Sequence, residues 1–401
     1  MKHFKYPGRK KISLTVIVLG IVSFFATFSS DMIYPLLPIF LSLLGAGAID
    51  LGLVEGIAEA TASSLKILSG YLTDRVKKRK PFVLAGLSLS SAMRPLIGLA
   101  TAWPSVLGFR FMDRTGNAIA TSPQDALIVD VTDYELTGKA FGFQRAMEHG
   151  GSVAGPLTAV FLIKVFRFSL RKVFIFSIVP ASLAISLLIF LIKEQGRSSE
   201  RFSPEATLAR QGQERNGGLE RDFKLFILTA ITFTLGHPTD TFLLLRLHMA
   251  GLEAASSAIL WSLFNIIKVV STYIGGGTAD RIAPKSMIIA GWLSSALIYL
   301  LFAMLESRGA LIGVFLFYGV YFGFTEPAIR VFIRSFVNHE LRGRAFGYYS
   351  GAIGFASLPA SLLFGFLWQR LGYRYAFAAG IVFTLLGCAG LGMIKEPKRE
   401  S

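Results

Sequence analysis

Two acid–base pairs stand at the same place in two copies of one pattern. Asp74-Arg75 ends a long apolar segment, and Asp280-Arg281 ends another 206 positions later. Gly70-Tyr71-Leu72-Thr73 precedes the first pair and Gly276-Gly277-Thr278-Ala279 the second. The basic cluster Lys77-Lys78-Arg79-Lys80 follows the first. A second match has nearly the same offset. Glu135-Leu136-Thr137-Gly138-Lys139-Ala140-Phe141-Gly142-Phe143 returns as Glu340-Leu341-Arg342-Gly343-Arg344-Ala345-Phe346-Gly347-Tyr348, 205 positions on. Two independent matches at half the chain length imply a duplicated architecture. A charged hinge repeated between apolar segments implies two similar membrane halves related as a parallel repeat.

The apolar segments decide the fold class. Of 401 residues, 53% are hydrophobic, 16% are charged and 35 are Phe, with a mean hydropathy of +0.56. One soluble core could not hide that much apolar surface. The runs reach the roughly 20 residues that a helix needs to cross a bilayer. Spans are expected over 12–43, 50–73, 82–102, 104–131, 139–163 and 172–192, then 223–248, 253–279, 285–305, 308–334, 341–367 and 373–394. The expected fold is all-α and integral to the membrane, with twelve transmembrane helices in two six-helix bundles. The bundles cover 1–192 and 223–401. A polar joining segment, 193–222, contains Gly196-Arg197-Ser198-Ser199 and Arg215-Asn216-Gly217-Gly218, a composition typical of linkers.

The net charge of +16 does not point to nucleic acid, because the positive residues cluster between spans. Lys2, Lys5, Arg9, Lys10 and Lys11, then Arg75 to Lys80, then Arg197 to Arg221 fall on alternate sides, as the positive-inside rule requires. The turns at 45–48 and 101–104 carry no Lys or Arg and are placed outside, so both termini and the linker are expected in the cytoplasm. One loop breaks the rule: Lys164, Arg167, Arg171 and Lys172 fall on the outer side. Cys388 is the one cysteine, which excludes an internal disulfide and a thiolate metal site. The apolar run Ile12 to Phe28 continues into Ser29-Ser30-Asp31 without a clear cleavage site, so it reads as a first membrane helix.

At these residues the chain resembles the major facilitator superfamily, over nearly its whole length. The family's signature after its second helix is a glycine, then Asp-Arg, then basic residues. Gly70, Asp74, Arg75, Arg79 and Lys80 match it, while Lys77 stands where a further glycine is usual. Gly276 with Asp280 and Arg281 is a reduced second copy. Gly151-x-x-x-Gly155-Pro156 resembles the antiporter signature of drug-efflux members, with Ala159-Val160 replacing its final glycines. Small residues at that spacing equally serve close helix packing. Ser30-Asp31-Met32-Ile33-Tyr34-Pro35-Leu36-Leu37-Pro38 resembles the first-helix motif of bacterial drug–proton antiporters. Asp113-Arg114-Thr115-Gly116-Asn117 and Pro123-Gln124-Asp125-Ala126-Leu127 look like a bacterial subgroup of poorly defined substrate. The resemblance implies a monomer in the cytoplasmic (inner) membrane, working by alternating access on a small molecule, without a cofactor. The hinge residues Gly70, Asp74, Arg75, Arg79, Asp280 and Arg281 would then form a conformational gate. An Asp at a helix end can hold a neighbouring helix in one state only; plain topology-setting charge is the simpler role for the Lys and Arg residues.

A charge inside a bilayer costs about 2.5–3.5 kcal/mol on insertion scales, so each requires an account. Asp31 has no helical neighbour of opposite charge. Protonation would remove its cost, as would an ion pair with an arginine of another helix. Glu55 and Glu59 share a helix face, and one of two close carboxylates is expected to hold a proton. Glu55 is placed near the outer mouth. Arg110 and Asp113 can pair at i,i+3, which frees Arg114 for Asp31 or an anionic substrate. Arg145 and Glu148 form another i,i+3 pair, assigned to the gate. His149 is a candidate relay, since its unperturbed pKa is near 6.5. Asp240 is the approximate counterpart of Asp31, and Glu326 with Arg330 four residues on are expected to neutralise each other. The proton-coupling candidates are thus Asp31, Glu59, His149 and Asp240. Arg94, Arg114, Asn117, Asp125, Asn265, Lys268, Glu326 and Arg330 are candidates to face the substrate. Phe242, Trp261, Phe264, Tyr318 and Tyr321 are candidate aromatic lining.

Protons, a small molecule and the lipid bilayer are therefore the expected partners, with export by antiport the first expectation. Uptake of an anionic metabolite or metal chelate through Arg94, Arg114 and Arg330 is the second. A non-transporting membrane sensor or assembly partner on the same fold is the third. No phosphate-binding glycine loop, HExxH pair, nucleophile elbow or clustered ligand set is found, so neither an enzyme nor a metal site is expected.

Overall fold

The computed structural model describes residues 13–74, 79–132, 137–192, 221–279, 282–336 and 342–394. Among them no strand occurs. In a bilayer each backbone N–H and C=O must be satisfied within the segment, and the helix does this without edges.

Helix α1 runs Leu14–Ile33, passes a 3-10 turn at Tyr34–Leu36 and continues over Leu37–Leu43. Pro35 and Pro38 remove two backbone donors there, which explains the break. Then follow α2 (Ala48–Asp74), α3 (Lys80–Leu99), α4 (Trp103–Asp130), α5 (Thr137–Lys164) and α6, in two pieces, Leu170–Phe176 and Ile178–Leu191. The second half opens with α7, also in two pieces, Arg221–Leu235 and Thr241–Met249. It continues with α8 (Ala254–Ala279), α9 (Pro284–Met304), α10 (Arg308–Ser335), α11 (Arg342–Leu371) and α12 (Tyr373–Met393). Eight of these helices are both long enough and apolar enough to span a membrane, among the described residues. The four that fall short are α2, α4, α5 and α7. The first three hold the charges discussed below, and α7 is interrupted by Gly236 and Pro238.

The packing repeats with the sequence. In the first half α1 packs on α5 and α6, and α4 packs on α2 and α3. Advancing each number by six gives the second half: α7 on α11 and α12, α10 on α8 and α9. Two seams join the halves, α2 against α11 and α5 against α8, and these too exchange under the repeat. Lys80 and Lys285, 205 positions apart, do the same work in each half. Lys80 Nζ donates to Ile189 O (2.9 Å) and Ile192 O (2.6 Å) at the end of α6. Lys285 Nζ donates to Gly392 O and Ile394 O (both 2.7 Å) at the end of α12. Each ammonium satisfies carbonyls that the last helical turn leaves unpaired and sits at the negative end of the helix dipole.

The loop that breaks the charge rule has structural work. Arg171 donates to Gly98 O (3.1 Å) and Ala100 O (2.7 Å), closing the end of α3. Lys164 pairs with Glu253 at 3.5 Å, across the two halves.

Gly151 and Gly155 let α5 lie against α1. A Cβ on Gly151 would stand 2.5 Å from Phe24 O, and one on Gly155 2.5 Å from Phe28 O and 2.9 Å from Met32 N. Backbone atoms cannot step aside, so Gly155→Leu should cost about 1–3 kcal/mol through overpacking. Gly142 on the same helix has open space around it. Thermal unfolding in detergent should show a clear drop in midpoint for Gly155→Leu and little change for Gly142→Ala; equal midpoints would contradict this packing.

Candidate functional site

Four charges are fastened together inside the first half. Arg110 on α4 donates to Glu55 on α2 through Nη2 (2.9 Å to Oε1) and Nε (3.1 Å). Its Nη1 reaches Asp113 Oδ2 at 3.3 Å. Asp113 Oδ1 accepts from Arg94 Nε of α3 (3.0 Å) and from Ser90 Oγ (2.5 Å). Arg94 Nη1 donates to Ala26 O on α1 at 2.9 Å. Two cations and two anions thus cancel, and every one is at most 3% exposed. The Arg110 guanidinium also lies 5.8 Å from the ring centroid of Tyr34. The expected Arg110–Asp113 pair is present. Three expectations need correction. Glu55 is not solvated at an outer mouth but is buried in this network. It therefore has no need to share a proton with Glu59. Arg94 is fully engaged and is not available to a substrate.

Between the halves lies a cavity of about 300 Å³. Glu59 of α2, Arg114 of α4, and His237 and Asp240 of the α7 break face it, with Phe233, Trp292, Tyr321 and Tyr349 as aromatic walls. Two helix breaks form its floor: Tyr34 Oη at the α1 break bonds Thr241 Oγ1 at the α7 break, 3.2 Å away. The contacts between halves run from mid-span, where Ser262 Oγ donates to Val153 O (3.1 Å), to the turn end, where Ile49 N donates to Gln369 Oε1 (3.1 Å). The cavity walls extend the other way, past Ala230, Ile329 and Tyr349, towards the end at which α6 finishes and α7 begins.

The α7 break is the most polar element of the cavity. Gly236 and Pro238 interrupt the helix and turn His237 and Asp240 inward. His237 is held on both nitrogens, Nδ1 by Tyr299 Oη (2.8 Å) and Nε2 by Tyr318 Oη (3.0 Å). Tyr318 Oη in turn donates to Asp240 Oδ1 at 2.7 Å. No cation pairs with Asp240 or Glu59 among the described residues. Arg114 Nε is buried without a hydrogen-bond partner.

The other candidates divide. Asp31 is half-buried on α1, with Ser152 of α5 in hydrogen-bonding reach and Arg114, Arg94 and Lys268 as the nearest cations. Asp240 is not its counterpart: at the 205-residue offset Asp31 falls on Gly236, before the helix break, and Asp240 falls on Pro35, after it. Glu326 pairs with Lys268 of α8 at 3.4 Å, not with Arg330, which is exposed. Lys268 Nζ also lies 3.9 Å from the Phe322 ring centroid. His149 is half-buried and faces Lys268, Glu326 and Arg145. Arg145 and Glu148 pair at 2.7 Å. Asn117 Oδ1 meets Thr121 Oγ1 (3.4 Å), Asp125 meets Gln144 Nε2 (3.5 Å), and Asn265 Nδ2 donates to Trp261 O (2.9 Å). None of these three lines the cavity. Arg79 pairs with Asp130 at 3.1 Å. Arg75, Asp280 and Arg281 lie outside the described residues, as do the side chain of Asp74 and the surroundings of Gly70. Of the aromatic candidates Tyr321 lines the cavity, and Tyr318 acts through its hydroxyl. Phe242, Trp261 and Phe264 are packed in the core. His237 carries no motif; its one signal in the sequence is its place between a helix-breaking glycine and proline.

A helical protein of apolar spans, duplicated about a polar cavity between its halves, has the architecture of secondary membrane transporters. The sequence profile of the Major Facilitator Superfamily matches residues 19–350 and 225–401, and the chain belongs to that family. It is 30% identical over 386 residues to an uncharacterized MFS-type transporter of Methanocaldococcus jannaschii, covering 94% of this chain and 95% of that one. It is 23% identical to the multidrug resistance protein MdtH of Salmonella newport, covering 81% and 80%. Among solved structures it is similar to a bacterial homolog of the human lysosomal transporter Spinster, inward-facing and unoccupied, with a TM-score of 0.76 at 14% identity over 98% of this chain and all of that one. A D-xylose–proton symporter gives a TM-score of 0.73 at 16% identity, covering 96% and 98%.

The charge network makes a stability prediction. Arg110→Gln strips Glu55 of its partner in a buried site, which costs about 3–5 kcal/mol. The double variant Arg110→Gln, Glu55→Gln restores neutrality and should recover much of the unfolding midpoint. Arg330→Gln, at an exposed position, should change it by less than about 0.5 kcal/mol. A double variant no better than the single one would show that the network is not closed as described.

Proposed function

We propose that this chain is a proton-coupled exporter of a small, amphiphilic organic cation, working by alternating access. All twelve helices cross the cytoplasmic membrane, 1–192 and 223–401 rock as two bodies, and both termini and the linker lie in the cytoplasm. The described state is then open inward.

The observation that carries the reading is a pair of carboxylates, Glu59 and Asp240, that have no cation paired to them among the described residues and face one aromatic-walled cavity. Of the three arginines expected to hold an anion, Arg94 is consumed and Arg330 lies elsewhere; only Arg114 faces the cavity. The balance therefore favours positive cargo. Protons and cargo would compete for the same carboxylates, which makes antiport a consequence of occupancy: each ligand stabilises the state in which it binds better. The likeness to MdtH supports export. The free Nε of Arg114 favours a second reading, uptake of an organic anion.

Proteoliposomes with an acidic lumen separate the two. With the cytoplasmic face outward, ethidium or tetraphenylphosphonium should accumulate as protons leave. Asp240→Asn and Glu59→Gln should each lower that flux by at least about tenfold, the equivalent of roughly 1.4 kcal/mol. Asp31→Asn measured beside them tests the acid of α1. Benzoate flux lost in Arg114→Gln and indifferent to Asp240→Asn would replace the cation reading with the anion one.

A further inference from the structure

The chain Tyr299–His237–Tyr318–Asp240 has only one self-consistent arrangement when Asp240 is ionised. Tyr318 owns a single hydroxyl proton. Its 2.7 Å bond to Asp240 Oδ1 uses that proton, since a carboxylate can only accept. The 3.0 Å contact from Tyr318 Oη to His237 Nε2 must then be donated by the ring. Nε2 carries the imidazole proton, Nδ1 is the bare acceptor, and Tyr299 donates to it at 2.8 Å. Every bond points towards Asp240. The opposite polarity, with Asp240 donating from Oδ1, reverses all three bonds. It would leave the Tyr299 proton in a pocket of Phe364 and Phe377, where Tyr299 is 1% exposed and no other acceptor is within reach among the described residues. A buried donor without an acceptor is disfavoured. The chain is therefore one-way.

We propose that His237 is the positioning residue of the proton site, which rests on the proton-coupling reading above. Locked as the neutral Nε2–H tautomer by the Tyr318–Asp240 bond, with Tyr299 donating to its bare Nδ1, it aims the Tyr318 proton at Oδ1. Oδ1 is thereby a permanent acceptor, and the travelling proton is taken and released at Oδ2, the oxygen left to the cavity. The charged groups facing Asp240 are Lys268 on α8 and Glu55 and Glu59 on α2; the tyrosines Tyr34, Tyr299 and Tyr321 surround it from α1, α9 and α10. Glu55 is neutralised by Arg110, so Glu59 and Lys268 are the groups whose charge sets how readily Oδ2 is protonated. His237 adds direction without adding charge.

The tautomer can be read directly. The chain holds five histidines, so histidine-selective 15N labelling of the full protein in lipid nanodiscs gives few signals, and His237→Gln assigns the one that disappears. The expected signature at neutral pH is a neutral ring with its proton on Nε2, retained in Tyr299→Phe and lost as a single fixed form in Tyr318→Phe. A ring protonated on Nδ1, or charged, overturns the inference whatever the protein transports. In the proteoliposome assay, Tyr318→Phe and His237→Gln remove or misdirect the donor that favours ionised Asp240. The pH of half-maximal flux should rise by up to about one unit, a several-fold to roughly tenfold lower proton requirement. A purely structural role would lower the maximal flux and leave that pH where it is, and that outcome also sinks the proposal. Flux that ignores pH in every variant, with the Nε2–H ring present, fails the proton-coupling reading instead and is recognisable as such.

Discussion

The buried network of Glu55, Arg110, Asp113 and Arg94 is the contact on which the first half depends. Each of these charges alone would be costly in an apolar bundle. Together they are neutral, and apart from the Arg94–Ser90 bond within α3 the hydrogen bonds they make cross to another member or another helix. Arg94 ties α3 to α1 through Ala26 O, Asp113 ties α4 to α3, and Arg110 ties α4 to α2. Removing any one member leaves its partner charged in the interior, so the four are kept or lost as a set. A network of this kind fixes the relative positions of helices more narrowly than apolar packing does, because hydrogen bonds restrict distance and angle together.

The second half solves the same problem differently. At the matching depth it has no comparable ring of charges among the described residues. It has a broken helix, a neutral histidine between two tyrosines and a carboxylate without a counter-ion. The break is affordable because the freed backbone lines a polar cavity and does not meet lipid. The first half therefore sets a rigid, charge-neutral network behind the Glu59 and Arg114 that face the cavity, and the second presents its carboxylate, Asp240, from a helix break. The Tyr34–Thr241 bond, which joins the two helix breaks, sits where the halves meet. A change of charge on Asp240 is felt one residue away from that contact.

The sequence made the scaffold legible to within a few residues. The expected spans 104–131 and 253–279 compare with Trp103–Asp130 and Ala254–Ala279, and the offset of 205 reappears as the shared role of Lys80 and Lys285. Helix boundaries are local, written in prolines, glycines and the end of an apolar run. Partnerships inside the membrane are not. The i,i+3 pairs Arg110–Asp113 and Arg145–Glu148 could be read from spacing, because one helix contains both members. Glu55 with Arg110 and Lys268 with Glu326 each join two helices, and no spacing rule reports which faces meet. Spacing even misled: Glu326 and Arg330 have the ideal interval, yet the neighbouring helix supplies a closer cation.

His237 shows where reading by residue type stops. In the sequence it is one polar group of the seventh span beside Asp240 and Arg246, with no role attached, and Tyr299 and Tyr318 lie 62 and 81 positions away. What gives it a role is the count of protons along a chain of four groups, each of which has a fixed number to give. That count needs the distances, and with them it yields a direction. The same reasoning explains why Asp240 differs from Asp31. Asp31 has Ser152 in hydrogen-bonding reach and Arg114, Arg94 and Lys268 as neighbouring cations, so several groups bear on its charge at once. Asp240 has one donated hydrogen bond and an open oxygen. A carboxylate so placed changes state on the arrival of either a proton or a cation, and a transporter needs one group with that property at the point where its halves part.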